Sequence, residues 1–218
     1  MSKEVFIVSG ARTPMGGLMG SLSGATAVEL GTVAIKAALE RSGISAEAIE
    51  EVIMGCVLPA GLKQGPARQA AIMAGIPKST AAVTVNKLCG SAMQTTIYGH
   101  DQIKAGTSDI VLCGGMESMS NAPHVLPKAR QGLGTGNAEI CDHMFLDGLQ
   151  DAYEGRLMGT FAQATATDAG LTREDMDAFA IESLNRAKKA IEDGSLDAEI
   201  VPVTIKTRKG ETTVTQDE

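Results

Sequence analysis

The chain has 218 residues, enough for one large or two small domains, and 44% of them are hydrophobic, enough to build a core. With four Phe, two Tyr and no Trp against 25 Gly and 11 Met, that core must be made of small and aliphatic side chains in close contact, which suits helices layered on a parallel sheet. The formal charge of −7 and the lack of clustered Lys and Arg before Lys188 argue against a general nucleic-acid surface, and no apolar run is long enough to span a membrane.

The first predicted element is a buried strand, Val5 to Val8, ended by Gly10 and the ARTP segment. The glycine-rich stretch 16–24, GGLMGSLSG, lacks the Walker lysine and the dinucleotide-binding spacing, so it reads as a loop. Thr26 and Glu29 form a capping box ahead of a helix to about Ser42, stopped by Gly43. A strand, Val52 to Leu58, and a short helix, Ala67 to Ala74, come next. Then a β-branched run containing Val83 and Val85 hands over to a helical pattern that begins near Cys89 and lasts to about Ala105, before Gly106. Asp109 to Cys113 is a fourth strand. This alternation predicts right-handed crossovers on a mainly parallel sheet, whose chemistry lies at the carboxyl ends of its strands.

Residues 116–160 carry no clear long element and read as an excursion from the sheet. Helical patterns return at Met158 to Ala169 and from Arg173 to about Asp193, the latter introduced by Thr172 and closed by Gly194, with an apolar face of Met176, Phe179, Ala180, Leu184, Ala187 and Ile191. Glu199 to Thr207 and Glu211 to Gln216 read as strands joined at Lys209-Gly210. The charged ending after a strand, with no packing element to follow, reads as that of a fragment.

Cys89 is the strongest nucleophile candidate. The first N–H groups of a helix lack intrahelical partners and carry partial positive charge, which favours a neighbouring thiol in its nucleophilic form. Gly90, Ser91 and Ala92 after it are small, so a substrate carbonyl could approach the backbone. The alternative at this level is a buried cysteine capping a core helix. Cys56, Cys89, Cys113 and Cys141 form no Cys-x-x-Cys pair, so neither a metal site nor a disulfide framework is expected. With no basic and apolar leader pattern, a reducing cytoplasm is the default. His100, His124 and His143 read as surface or structural residues, Cys56 and Cys113 as core residues on strands, and Cys141 as an unassigned loop thiol.

With NKLCGSAMQ at 86–94 and GGMESMSNAPH at 114–124, the chain closely resembles the thiolases, the coenzyme A-dependent acyltransferases. ARTP at 11–14, DGLQDAY at 147–153, LMG at 157–159 and the MDAFAIESLNRAKKAI to EIVPV segment support the resemblance, which covers essentially the whole chain in order. It implies the N-terminal half of a layered αβαβα fold, with residues 1–118 as the incomplete α/β core and 119–218 as the loop domain that covers coenzyme A. It also implies that Cys89 takes up the acyl group by ping-pong transfer from acyl-CoA, that Leu149 and Met158 line the pantetheine or acyl pocket, and that coenzyme A and acetyl-CoA are substrates with no covalent cofactor. A homodimer through the sheet edge near the third strand, or a homotetramer, is expected by the same resemblance. Two departures stand out: Ser91-Ala92 where the family commonly has Ser-Gly, and Leu157 where many members have His. Thiolases are nearly twice as long, and their second half supplies a catalytic His, a second Cys and an Asn with no counterpart here. The isolated chain is therefore expected to turn over little. Two other readings are a ketoacyl-synthase type of condensing enzyme, disfavoured by GGMESMS and the loop-domain motifs, and a non-catalytic module for acyl-CoA binding or assembly.

Overall fold

The computed structural model describes residues 3–208 and 210–218, and the chain divides into two compact units. The first comprises the chain up to Pro123 together with Glu199–Glu218; the second is His124–Ala198.

The first unit is built on three parallel strands, β1 (Glu51–Gly55), β2 (Ala81–Val85) and β3 (Val111–Gly115), in the order β2-β1-β3. Met54 of the central strand is in register with Thr84 on one side and Gly114 on the other. Between the strands run α1 (Ala27–Ser42), which precedes β1, α2 (Pro66–Met73) and α3 (Ser91–Ala105), so the expected alternation on a parallel sheet is present. The predicted capping box opens α1: Thr26 Oγ1 accepts from the Glu29 N–H at 3.2 Å, and the Glu29 carboxylate accepts from the Thr26 N–H at 2.8 Å. Gly43 closes the helix with φ +68°.

Side chains of β1 alternate between two faces. Val52 and Met54 join Val28, Ile35, Ala67, Ala70, Ala71 and Met116 in the main core, beneath α1 and α2. The opposite face meets α3 and is built for close approach. A Cβ on Gly55 would stand 2.6 Å from Ser91 Cβ, and one on Gly99 would stand 2.5 Å from Cys113 Sγ. Thr95, fully buried, donates to the Gly114 carbonyl at 3.0 Å and fastens α3 to β3.

Residues 5–8 do not form the buried strand expected of them. They belong to no helix or strand, and Phe6 and Ile7 are 73% and 86% exposed. An unbroken apolar run makes a buried strand only where another strand completes the ladder, and among the described residues none pairs with it. The hairpin expected near the end is present as β6 (Val203–Thr207) and β7 (Gly210–Val214), antiparallel with Ile205 opposite Thr212. Of the predicted join, Lys209 lies outside the described residues. Val203 and Ile205 pack with Leu22 and Ala25, and Arg12 donates to both Asp217 carboxylate oxygens at 2.7 and 2.9 Å. These ties explain why 199–218 falls in the first compact unit.

The second unit holds a two-residue ladder, β4 (His124–Val125) with β5 (Cys141–Asp142), a π-helical turn (Phe145–Leu149), α4 (Met158–Asp168) and α5 (Arg173–Glu192). The excursion from 116 therefore contains only short elements before α4. Thr172 caps α5 by accepting from the Asp175 N–H at 3.1 Å, yet no residue of α5 is buried. Most of the apolar face read from its periodicity is exposed, with Phe179 at 79% and Leu184 at 67%, while Met176 and Ile191 are half-buried. No described helix is long and apolar enough to cross a membrane.

Candidate active site

Cys89 lies in the five-residue turn between the end of β2 at Val85 and the start of α3 at Ser91. The helix begins two residues later than its pattern suggested. Gly90 is the N-cap, with φ −86° and ψ 5°, and Leu88 before Cys89 takes φ +49°. A left-handed Leu is unfavourable without local support, so the turn must be held from outside Leu88 itself. Leu88 is 53% exposed and its side chain does little of that holding.

Ser91 secures the turn from within. Its Oγ accepts from the Lys87 N–H at 2.9 Å and donates to the Leu88 carbonyl at 2.6 Å, and its residue is 5% exposed. The Gly90 and Ser91 N–H groups donate to the Lys87 and Leu88 carbonyls, at 3.2 and 3.0 Å. Lys87 reaches over the helix start to donate to Gln94 Oε1 at 2.5 Å. Cys89 is exposed. The buried-cap alternative is thereby set aside, since the sulfur stands open on a turn that projects beyond the carboxyl end of β2.

The other cysteines differ. Cys56 is buried just past β1, and burial first, then the neighbouring Glu117 carboxylate, pushes its thiol up to about 12. Burial pushes Cys113 on β3 up to about 11. Cys141 on β5 is also raised, by desolvation and by Glu139. All four cysteines are free thiols. None of the three histidines belongs to the Cys89 turn: His100 pairs with Asp101 at 3.0 Å, His124 is exposed on β4, and buried His143 pairs with Asp147 at 2.6 Å.

Leu149 and Met158 fall in the second unit. Leu149 ends the π-helical turn, half-buried, and Met158 opens α4, 45% exposed. A backbone bridge between Gln150 and Leu157, reinforced by the Asp151 N–H donating to the Arg156 carbonyl at 2.8 Å, brings the two stretches that carry them side by side. Leu157, standing where many thiolases have His, is the N-cap of α4 and offers no side-chain hydrogen bond. A cavity of about 210 Å³ in the first unit lies elsewhere, lined by Val8, Gly10, Ile35, Leu39, Ile110 and Leu112 among others. Residues 8–11, α1 and β3 contribute to its lining, and none of residues 86–90 does.

Sequence reasoning missed two polar residues of this region, Asn86 and Glu117. Both sit inside the motifs that carried the resemblance, immediately beyond apolar strands, but nothing in their spacing shows that their side chains bond to backbone of other loops.

The thiolase N-terminal domain model matches residues 5–218. The chain belongs to the thiolase family. It is 50% identical over 208 residues to an acetyl-CoA acetyltransferase of Cupriavidus necator, covering 95% of this chain and 53% of that protein. It is also 50% identical over 206 residues to a cytosolic acetyl-CoA acetyltransferase of Gibberella zeae, covering 94% and 52%. The crystal structure of an Ascaris suum thiolase, Acat5, in complex with coenzyme A superposes with a TM-score of 0.92 at 42% identity, covering 99% of this chain and 55% of that one. The chain thus spans about half the length of the thiolases it matches, and its α/β architecture is theirs.

Proposed function

We propose that Cys89 is the acyl-accepting nucleophile of an acetyl-CoA C-acyltransferase, and that this chain carries the acyl-enzyme half of its ping-pong reaction. The observation that carries the reading is an exposed cysteine on a strained, side-chain-braced turn between a parallel strand and a helix, in a chain of thiolase ancestry. In the first step the Cys89 thiolate attacks the thioester carbonyl carbon of an acyl-CoA. A C–S bond to Cys89 forms, the C–S bond to coenzyme A breaks, and the departing thiolate takes a proton from solvent or an acid group. The Cys89 N–H is assigned to the oxyanion that develops on the carbonyl. In the second step either coenzyme A attacks the acyl-enzyme carbonyl and carries the acyl group away, or acetyl-CoA, after losing an α-proton to a base, attacks it as the carbon nucleophile; in both the C–S bond to Cys89 breaks and its thiolate is released.

Leu149 and Met158 are proposed as apolar contacts to pantetheine or the acyl chain, in the loop domain that the resemblance assigns to residues from 119 onward. Their paired placement by the 150–157 bridge supports that role, and the apolar Leu157 leaves the acyl preference to shape rather than to a hydrogen bond. β2 is an edge strand with Val83 43% exposed, which favours pairing with a second copy in a homodimer or a tetramer of two such pairs. Four free thiols favour a reducing, cytoplasmic location.

The test separates the half-reaction from turnover. Acetyl-CoA added to the purified 218-residue chain should release one equivalent of coenzyme A thiol, without sustained thiolysis of acetoacetyl-CoA. Binding without any release would favour the non-catalytic module. Sustained turnover would show that this chain holds acid and base groups not identified in it.

A further inference from the structure

We propose that Asn86 and Glu117 are positioning residues that hold Leu88 in its left-handed conformation and so aim the Cys89 sulfur; the inference rests on the acyl-accepting role of Cys89. The two side chains form one continuous path across three loops at the carboxyl ends of the strands. After β3, the Glu117 carboxylate accepts from the Val57 N–H at 2.8 Å and the Leu58 N–H at 3.1 Å, and Cys56 Sγ lies 3.6 Å from the same carboxylate. This fixes the chain just past β1. From there the Val57 carbonyl accepts from Asn86 Nδ2 at 3.4 Å, while Asn86 Oδ1 accepts from the Leu88 N–H at 2.9 Å. The Cys56 N–H donates to the Val85 carbonyl at 3.0 Å and joins the same two loops through the backbone.

Each link is directional. An asparagine that accepts from the N–H two residues on is the side-chain imitation of a tight turn, and it stabilises the backbone that Leu88 would otherwise leave. The amide can serve that N–H only while its other end is anchored, and its anchor is a carbonyl whose own peptide is pinned by Glu117. Ser91 braces the inner side of the turn through the Lys87 N–H and the Leu88 carbonyl, so the two peptides that flank Leu88 are each held, the one before it by Asn86 and the one after it by Ser91. Glu117 touches neither Cys89 nor a reacting atom, and acts through the 56–58 loop and Asn86.

The experiment follows acyl transfer from labelled acetyl-CoA to Cys89 in the 218-residue chain, with peptide-resolved iodoacetamide labelling of all four cysteines as a check on folding. Asn86→Ala should slow acylation of Cys89 about tenfold or more, the scale expected when a reacting atom is misplaced. Alkylation of Cys89 by the small reagent should change less than threefold on about the same argument, since it does not need the sulfur aimed. Cys56 and Cys113 should remain protected. Adding Leu88→Gly to Asn86→Ala should recover most of the lost rate, because glycine takes a positive φ without support. Glu117→Gln should slow acylation in the same direction, and the Asn86→Ala, Glu117→Gln double variant should lose less than the product of the two single effects.

An Asn86→Ala chain that acylates at the normal rate, a Leu88→Gly change that recovers nothing, or independent effects of Asn86 and Glu117 would each overturn the proposal. New labelling of Cys56 or Cys113 in Asn86→Ala would overturn it too, by showing a general loosening. A wild-type chain that fails to acylate breaks the acyl-acceptor role itself, a distinct result from a variant that behaves like wild type.

Discussion

The two compact units share a vocabulary of amphipathic helices and short strands, but they use it differently. In the first unit the helices are pressed onto the sheet so closely that Gly55 and Gly99 have no room for a methyl group, and Val52, Met54 and Ala67 are at most 2% exposed. In the second, the buried residues among those described are Met144, Ala166 and His143, and the 20-residue α5 buries none. Periodicity shows which face of a helix is apolar; it does not show whether anything covers that face. The candidate nucleophile belongs to the tightly packed unit, where backbone can be held in an unfavourable conformation, and the expected pocket residues Leu149 and Met158 belong to the looser one.

If that contrast is right, small volume changes should be costly in the first unit and nearly free on α5. The largest effect is expected at Gly55. Gly55→Ala places a methyl against Ser91, whose hydroxyl braces the Cys89 turn, and should destabilise the chain by about 1–3 kcal/mol in urea unfolding while also slowing acylation. Indifference there would mean that the helix and strand are less tightly fitted than their geometry implies. Next comes Arg12→Ala, which removes the bidentate pair to Asp217 that ties the end of the chain to the first unit. A loss of about 1–2 kcal/mol is expected, with earlier proteolysis in 199–218.

Titration sharpens the same comparison. Cys56 and Cys113 are held neutral up to about 12 and about 11, against 9.0 for an unperturbed thiol. The unfolded chain releases these protons first, so their contribution to stability is complete below about pH 9 and is lost as pH rises toward those folded values. Alkaline unfolding should therefore begin near pH 9, and Cys113→Ala should flatten the decline. At the acid end the sign reverses. The Asp217 carboxyl is lowered, chiefly by its hydrogen bond to Arg12. Its contribution is present above the ordinary carboxylate range and disappears as pH falls through the depressed value, so Arg12→Ala should blunt acid sensitivity. The smallest effect is expected from Phe179→Ser, within about 0.5 kcal/mol of wild type in thermal unfolding. A larger loss would show that α5 is covered in solution.

Much of the first unit was legible in the sequence because its signals are local. The Thr26–Glu29 box, the Gly43 and Gly106 stops and the strand-helix alternation each declare themselves within a few residues, and the same kind of signal singles out Cys89 as the candidate nucleophile. What failed needed distant partners. Val5 to Val8 reads identically whether or not a strand lies beside it, and α5 has the stripe of a packed helix while exposing it. Asn86 and Glu117 were overlooked for the same reason: an amide and a carboxylate near strand ends look like ordinary loop polarity until the loops after β1, β2 and β3 are seen together.

The central claim is that one exposed sulfur on the β2–α3 turn accepts the acyl group. The most direct measurement is mass mapping of the chain after incubation with isotopically labelled acetyl-CoA, alongside a Cys89→Ala variant. The acyl label should sit on Cys89 at up to one equivalent per chain and vanish in the variant. Label on Cys56, Cys113 or Cys141, or undiminished labelling of the Cys89→Ala chain, would contradict it.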